Sequence, residues 1–163
     1  MKIDIIILMS LLNYSYSFNQ NFVVKRRNSI ITNSHFSRVN TELKDKDILI
    51  KSILDVSENV VYSDIPSLVK GYNNEKVLAD IVIKQKNGKD IGFCLKDGSY
   101  DIVTDLQFWD QKVPVEVFLE KISQRYAYNS VIRNCEEGGF VTNYVKNDLK
   151  NGCIEIEVSK YDV

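Results

Sequence analysis

Three Asn-Gly or Asp-Gly dipeptides, each lying between strand-like runs, constrain the fold of this 163-residue chain most strongly. Asn, Asp and Gly tolerate the positive φ angles of a type I′ turn, so each dipeptide predicts a β-hairpin. The flanking runs, such as residues 77–84 and 154–158, each read as one strand, with apolar side chains at every second position. This alternation predicts antiparallel strands with one buried and one solvated face. The dipeptides are Asn87-Gly88, Asp97-Gly98 and Asn151-Gly152.

Two stretches have the apolar spacing of amphipathic helices. The first covers residues 45–59 and begins with Asp45 or Asp47 as its N-cap. The second begins at Pro114 and ends at the glycine pair 138–139. The sequence therefore predicts one α+β domain over residues 34–163, in which a largely antiparallel sheet with three hairpins carries two helices on one face. The apolar stripe of the first helix consists of Leu49, Ile50, Ile53 and Leu54.

The second helix changes its apolar face about halfway along. One stripe occupies its first half and a different stripe its second half. A helix that is apolar on two sides either lies between two layers or presents one side to a partner. The first stripe consists of Val115, Phe118, Leu119, Ile122 and Tyr126, and the second of Tyr128, Val131, Ile132 and Cys135.

Residues 1–33 have the composition of a two-part targeting leader. Lys2 precedes an apolar run that is too short to span a bilayer and is typical of a signal peptide. Residues 19–34 are basic and rich in hydroxyl and amide side chains, as transit peptides are. This order predicts import through the secretory pathway into a plastid interior, with no membrane span in the mature chain. The alternative is a secreted or membrane-anchored protein with a basic linker.

Charge and cysteine usage narrow the function classes. Residues 34–163 contain 17 basic and 21 acidic residues, a formal charge of −4, which disfavours nucleic acid as a partner. Cys94, Cys135 and Cys153 are widely spaced, and His35 is the single histidine. This set does not match the clustered ligands of a zinc site. The sequence therefore predicts free thiols in a reducing compartment, with no metal and no cofactor.

The chain contains no phosphate-binding glycine motif and no Gly-x-Ser-x-Gly element. Asp101 and Asp105 are predicted to lie on the solvated face of a strand that runs to Phe108, without a catalytic role. These observations favour a non-enzymatic protein. The alternative is an enzyme or small-ligand protein with a polar pocket around Arg125 and Asp105, because Arg binds carboxylates and phosphates through two hydrogen bonds.

A candidate protein-docking surface combines the end of that strand with the middle of the second helix. Aromatic and arginine side chains flanked by polar groups are typical of docking sites. Trp109 is interpreted as either a core residue or a docking residue. RNA binding would need exposed aromatic residues such as Phe93 or Phe108, and both lie on apolar strand faces. The predicted binding residues are Asp105, Gln107, Trp109, Gln124, Arg125 and Tyr128.

Five stretches in this order resemble the hypothetical chloroplast reading frame thirty-five family of cyanobacteria and algal plastids. The resemblance covers residues 34–163 and implies that the mature chain begins near Ser34. Lys70 departs from the arginine expected there, and Lys160-Tyr161 from arginine and tryptophan. The resemblance implies a plastid compartment, photosynthetic or not, and supplies no catalytic residues. We therefore expect a binding or assembly factor with a protein partner. The stretches are SHFSRVNTEL (34–43), KGY (70–72), ADIVIKQKNGKDIGF (79–93), VTDLQFWDQ (103–111) and QRYAY (124–128).

Overall fold

A computed structural model of the protein shows an α+β architecture with largely antiparallel sheets, as predicted. The chain divides into two compact units, residues 27–125 and residues 1–26 with 126–163. The single domain over residues 34–163 and the packing of both helices on one face stay predictions. The structure describes residues 2–10, 13–16, 30–32, 36–57, 61–71, 75–148 and 153–160.

The elements follow one another in an order that places a helix after β4 and a second, longer helix after β10. Both helices were predicted, as were the strands β4, β9, β10 and β12. In chain order the elements are β1 (Lys2–Ser10), β2 (Asn13–Tyr16), β3 (Ile30–Thr32), β4 (Phe36–Val39), α1 (Lys46–Val56), β5 (Tyr62–Ser63), β6 (Ser67–Lys70), β7 (Lys76–Ala79), β8 (Ile81–Ile83), β9 (Ile91–Lys96), β10 (Ser99–Asp105), α2 (Val115–Glu137), β11 (Val141–Asp148) and β12 (Cys153–Ser159).

In the unit of residues 27–125, six strands form a sheet in the order β3-β4-β10-β9-β8-β5. At its centre, Ile102 of β10 is registered with Val39 of β4 and Phe93 of β9. The turn between β9 and β10 has positive φ at both Asp97 and Gly98, 51° and 84°. These angles confirm the predicted type I′ hairpin, because that turn needs positive φ at both central residues.

The β8–β9 hairpin also forms, but its turn differs from the prediction. Gly88 has a φ of 71°, whereas Asp97 is the one non-glycine residue with positive φ in the described part of the chain. Asn87 therefore does not take the type I′ conformation. The connection is a longer loop, closed by Gly88 N donating to Gln85 O at 3.0 Å.

The sequence predicted one continuous strand over residues 77–84, and the chain instead changes sheets at Asp80. Before this residue β7 pairs with β6, and after it β8 pairs with β9 and β5. Asp80 N donates to Phe93 O at 2.8 Å, and its carboxylate accepts from Leu95 N at 2.7 Å. The single-strand prediction was wrong because the strand is interrupted at Asp80, whose backbone and side chain both make hydrogen bonds to β9. Alternation of apolar and polar residues does not mark such an interruption.

The two-stranded β6–β7 hairpin packs against a face of this sheet that was predicted to be solvated. Val69 and Ala79 of the hairpin form one buried cluster with Val82, Cys94 and Val103 of the sheet. At Gly92 a Cβ atom would lie 2.7 Å from the Ala79 Cβ and 2.9 Å from the Val69 Cγ2. The hairpin therefore approaches the sheet too closely for any side chain at this position.

The carboxylates of β10 are consequently not solvated. Asp101 and Asp105 keep only 3% and 2% of their surface exposed. The prediction that both lie on a solvated strand face was wrong, because residues distant in sequence cover that face. Phe93 has no exposed surface, so it offers no stacking platform to RNA.

The start of α1 and the end of α2 follow their sequence signals. Asp45 caps α1, its Oδ1 accepting from Ile48 N at 2.9 Å. Leu49 and Ile53 of the predicted stripe are buried. Helix α2 stops where Gly139 adopts a φ of 75° and Phe140 N donates to Cys135 O at 2.8 Å. This is a glycine C-cap of the kind predicted.

Residues 1–26 with 126–163 form the second unit, in which four strands pair in the order β11-β12-β1-β2. Inward-facing residues of β12 pack against the second half of α2, which confirms the predicted change of apolar face. In the first half of α2, Val115, Phe118 and Ile122 are buried. The β12 cluster contains Ala127, Ile154, Ile156 and Val158, with Tyr128, Val131, Ile132 and Cys135 packed against it.

The segment predicted as a leader contributes backbone to this sheet. In the full chain β1 pairs with β12 antiparallel, from Lys2 opposite Ser159 to Leu8 opposite Cys153. Its removal on import stays a prediction. The signal-like run at residues 11–12, most of the transit-like segment, His35 and the turn at residues 151–152 lie outside the described residues.

Candidate functional site

Asp105, Gln107 and Trp109, three of the six predicted binding residues, lie together where β10 turns toward α2. The carboxylate of Asp105 accepts from Gln107 N at 3.1 Å and caps a short 3-10 turn over Leu106–Phe108. The predicted strand therefore ends three residues earlier than expected. The cap gives the buried Asp105 carboxylate a structural hydrogen bond, and Gln107 is exposed.

Trp109 connects this turn to the start of α2. Its Nε1 donates to Val113 O at 2.7 Å. Its ring meets the Phe118 ring edge-on, with centroids 5.3 Å apart and planes at 75°. An edge-to-face pair with a satisfied indole N–H is typical of packing. Of the two interpretations of Trp109, this geometry favours the core residue.

Gln85, which sequence reasoning missed, fastens the β8–β9 loop to the same turn. Its Oε1 accepts from Asp110 N at 2.8 Å and from Gln111 Nε2 at 3.2 Å, while its Nε2 donates to Lys89 O. In the same loop, Asn87 Nδ2 donates to Phe108 O at 2.7 Å. A lone glutamine in a polar loop gives no sequence signal of such a role.

The three helix residues of the predicted surface separate into the two units. Gln124 and Arg125 are half-buried at the end of the unit of residues 27–125. Tyr128 belongs to the other unit, where it packs against the β12 cluster. A binding role for the six predicted residues stays a prediction.

The covered face of the sheet holds an ion pair between the buried Asp101 carboxylate and the partly exposed Arg38 guanidinium. Asp101 lies with its Oδ2 3.6 Å from Arg38 Nη1. Burial raises the pKa of the Asp101 carboxyl, and Arg38, Lys96 and the Thr41 N–H oppose this shift. Burial also raises the pKa of the Cys94 thiol, which is registered opposite Asp101. A thiol with a raised pKa is a poor nucleophile at neutral pH, so this arrangement suits structure more than chemistry.

The outer face of the β6–β7 hairpin is the clearest exposed feature of the unit of residues 27–125. Leu68 and Leu78 are opposite one another in register and are 50% and 62% exposed. Lys70 and Lys76 are also opposite one another and exposed. We call these four residues the Leu-Lys face. Large exposed apolar side chains grouped on one surface mark interaction sites.

The Leu-Lys face has an unbalanced electrostatic pattern. Like charges directly opposite one another in an antiparallel pair are destabilising, so Lys70 and Lys76 repel one another. The end of the hairpin is held to the turn after β10, because Lys89 Nζ donates to Gly71 O at 2.9 Å and lies 5.4 Å from the centroid of the Phe108 ring. The face is thus a fixed basic and apolar surface that carboxylates would neutralise.

The three cysteines, Cys94, Cys135 and Cys153, form no disulfide bonds. Within the described ranges, no three His, Cys, Asp or Glu side chains are grouped so that they could hold a metal ion. Within the same ranges, no helix is both long enough and apolar enough to cross a membrane.

Comparison with known proteins gives consistent matches. Residues 57–156 match the family described as protein of unknown function (DUF1257). The chain is 42% identical over 130 residues to the uncharacterized protein ycf35 of Guillardia theta. This match covers 78% of this chain and 98% of that protein. It is 35% identical over 129 residues to the ycf35 protein of Pyropia yezoensis (79% and 98%). It is 33% identical over 128 residues to that of Cyanophora paradoxa (78% and 98%). No solved structure matches the chain.

Proposed function

Because this chain belongs to the ycf35 family, whose members named above are plastid-encoded, we propose that it acts inside a plastid as a non-enzymatic binding or assembly factor. The leader-like composition of residues 1–33 supports a route through the secretory pathway. The two β10 carboxylates support a non-enzymatic role, since Asp105 caps a turn and Asp101 is paired with Arg38.

The observation that carries this proposal is the Leu-Lys face. Its two leucines lie side by side on the outside of a hairpin whose inner residues are already buried in a core. These leucines therefore do not contribute to that core. Because exposed leucines gain free energy when a partner removes them from water, the pair favours a docked protein.

The charge of the face specifies the partner. A segment that carries apolar side chains flanked by Asp or Glu would cover Leu68 and Leu78 and neutralise Lys70 and Lys76. It would also remove the repulsion between the two lysines, which adds selectivity as well as affinity. The partner is therefore an acidic, apolar stretch of another polypeptide.

The test measures the affinity of the full chain for two short fluorescent peptides by fluorescence anisotropy. Both peptides carry two leucines, flanked by glutamates in one and by glutamines in the other. The glutamate peptide is expected to bind about tenfold more tightly, a difference of about 1.4 kcal/mol. In Lys70→Glu/Lys76→Glu the order of the two peptides is expected to reverse.

Leucine variants distinguish specific binding at the Leu-Lys face from non-specific hydrophobic binding. Leu68→Ser/Leu78→Ser is expected to weaken binding of both peptides. The matched control is Leu54→Ser, which removes a leucine that is 44% exposed on α1 and is expected to leave binding unchanged. Equal affinity for the two peptides, or equal losses in the two leucine variants, would contradict a docking role for this face.

A further inference from the structure

The main-chain groups of the β6–β7 hairpin point in directions that follow from one hydrogen bond. Gly71 N donates to Glu75 O at 2.9 Å, so residues 71 and 75 form a hydrogen-bonded pair. In an antiparallel ladder such pairs alternate with pairs that exchange no hydrogen bond. The two pairs of the Leu-Lys face, 68 with 78 and 70 with 76, are therefore of the second kind. Their N–H and C=O groups point away from the opposite strand, toward the outer edges of the hairpin.

The outer edge of β7 is turned toward β9. Leu78 O accepts from Cys94 Sγ at 3.3 Å, which agrees with a carbonyl that points away from β6. Directly after β7, Asp80 N donates to Phe93 O at 2.8 Å. The β7 side of the hairpin thus contacts the sheet of its own unit.

The outer edge of β6 differs from that of β7. Within the described ranges, β6 pairs with β7 and with no other strand. The N–H and C=O groups of Leu68 and Lys70 point to this side, and both side chains are exposed. We call these four main-chain groups the β6 edge. An unpaired strand edge of this kind is a template for pairing with another chain.

The β6 edge is held in place by the packing of its strand. Val69, between Leu68 and Lys70, has no exposed surface. At Gly71, where the strand ends, a Cβ atom would lie 2.7 Å from Phe36 Cε2. The strand is therefore fixed against the sheet on its inner side. A binding surface that is already ordered loses less conformational freedom when a partner docks.

We propose that the acidic, apolar partner of the Leu-Lys face binds as an extended strand that pairs antiparallel with the β6 edge, a form of β-strand addition. This inference rests on the proposed function and adds the conformation of the partner. The antiparallel direction is the more stable per residue. Partner residues directly opposite Leu68 and Lys70 share their face, so the first is apolar and the second is Asp or Glu. Main-chain hydrogen bonds supply affinity, and Lys70 supplies selectivity for the acid.

The β6 strand of a second copy fits this edge poorly. Residues Ser67–Lys70 contain no acidic side chain, so a second β6 would place no carboxylate beside Lys70. A lysine on an edge strand discourages pairing with strands that do not complement its charge. The charge pattern therefore favours an acidic strand of a different polypeptide over a β6–β6 dimer.

The test measures binding of the full chain to three fluorescent peptides by fluorescence anisotropy. In all three, leucine and glutamate occupy alternate positions with threonines between them. One is unmodified, one carries two methyl groups on leucine and glutamate main-chain nitrogens, and one carries two on threonine nitrogens. In the proposed pairing the leucine and glutamate N–H groups point to β6, and the threonine N–H groups point away. The first methylated peptide is expected to bind about tenfold more weakly than the unmodified one, and the second to bind equally well.

A fourth peptide, with glutamines in place of the glutamates, separates this inference from the proposed function. No preference of the full chain for the unmodified glutamate peptide over the glutamine peptide would overturn both. A preference for glutamate combined with equal binding of the two methylated peptides, whether weak or strong, would overturn strand addition alone. Weak binding of the threonine-methylated peptide only would overturn the antiparallel register. A dimer of the full chain in sedimentation that the glutamate peptide dissociates would overturn the choice of a different polypeptide.

Discussion

The β6–β7 and β11–β12 hairpins each bury one face and turn the other outward, but they differ in what they bury and what they present. The first buries Val69 and Ala79 against a sheet and presents leucines and lysines. The second buries the apolar residues of β12 against a helix, and on its outer face β12 presents glutamates. The outer face of the first hairpin therefore carries two bases opposite one another, whereas that of the second pairs Lys146 with Glu155 across its strands.

The two hairpins also differ in the substitutions that their buried faces tolerate. The β6–β7 hairpin lies so close to its sheet that Gly92 has no room for a Cβ. In contrast, β12 packs large branched side chains between those of α2. One contact is limited by backbone approach and the other by side-chain volume, so the two hairpins should fail under different substitutions.

The largest effect is expected where side-chain volume matters most. Ile156 has no exposed surface, so Ile156→Ala leaves a cavity and is expected to lower the free energy of unfolding by about 4 kcal/mol. Leu78→Ala removes a side chain that is 62% exposed and is expected to change it by less than about 0.5 kcal/mol. Urea denaturation followed by circular dichroism measures both. Similar losses of stability in the two variants would contradict the assignment of Ile156 to a buried face and of Leu78 to an exposed one.

A smaller effect is expected at the close approach of the β6–β7 hairpin. Gly92→Ala pushes Val69 and Ala79 away and is expected to cost about 2 kcal/mol. Because the Cys94 Sγ donates to Leu78 O at 3.3 Å, the same displacement should expose this thiol to alkylation. The measurement is the labelling rate of Cys94, with urea denaturation in parallel.

Gly98→Ala is the matched control for Gly92→Ala. Gly98 has a φ of 84° with open space around it, so alanine is strained there and is expected to cost about 1 kcal/mol. It lies away from the hairpin contact, and Cys94 labelling should keep its wild-type rate. Faster labelling in both variants would mean that general destabilisation, rather than the hairpin, controls access to Cys94.

The features that local sequence determines were predicted well. The two-residue turn at Asp97-Gly98, the Asp45 cap and the glycine end of α2 each depend on residues a few positions apart. The change of apolar face along α2 was also readable, because helical spacing reports which side chains share a side. These elements agree with the structure because their causes lie within one segment.

The features that depend on distant residues were not predicted. Nothing in the β10 alternation shows that the hairpin of residues 67–79 packs over that face of the strand. For the same reason, Asp105 was assigned to a solvated strand when it caps a turn, and the Leu-Lys face was overlooked. A face is exposed or buried according to what folds over it, which alternation leaves undetermined.

The smallest expected effect concerns a titrating side chain. Asp101 is an ionisable residue buried in the six-stranded sheet, whereas the buried residues of β12 are apolar. Burial raises the pKa of Asp101 above its ordinary value of 3.8, so the folded state binds more protons than the unfolded state in the window between the two values. The contribution of Asp101 to stability is therefore greatest at low pH and falls as pH rises through that window. Above the folded pKa it is constant.

Asp101→Asn removes this titration while keeping the shape of the side chain. The free energy of unfolding of wild type minus that of the variant is expected to fall as pH rises above 3.8, with a slope of at most about 1.4 kcal/mol per pH unit. Urea denaturation followed by Trp109 fluorescence measures it. Ile156→Val is the control, because neither side chain titrates and its difference should not vary with pH. A difference that instead rises with pH would mean that attraction to the Arg38 guanidinium outweighs the desolvation of the Asp101 carboxylate. The folded state would then favour the charged form of Asp101.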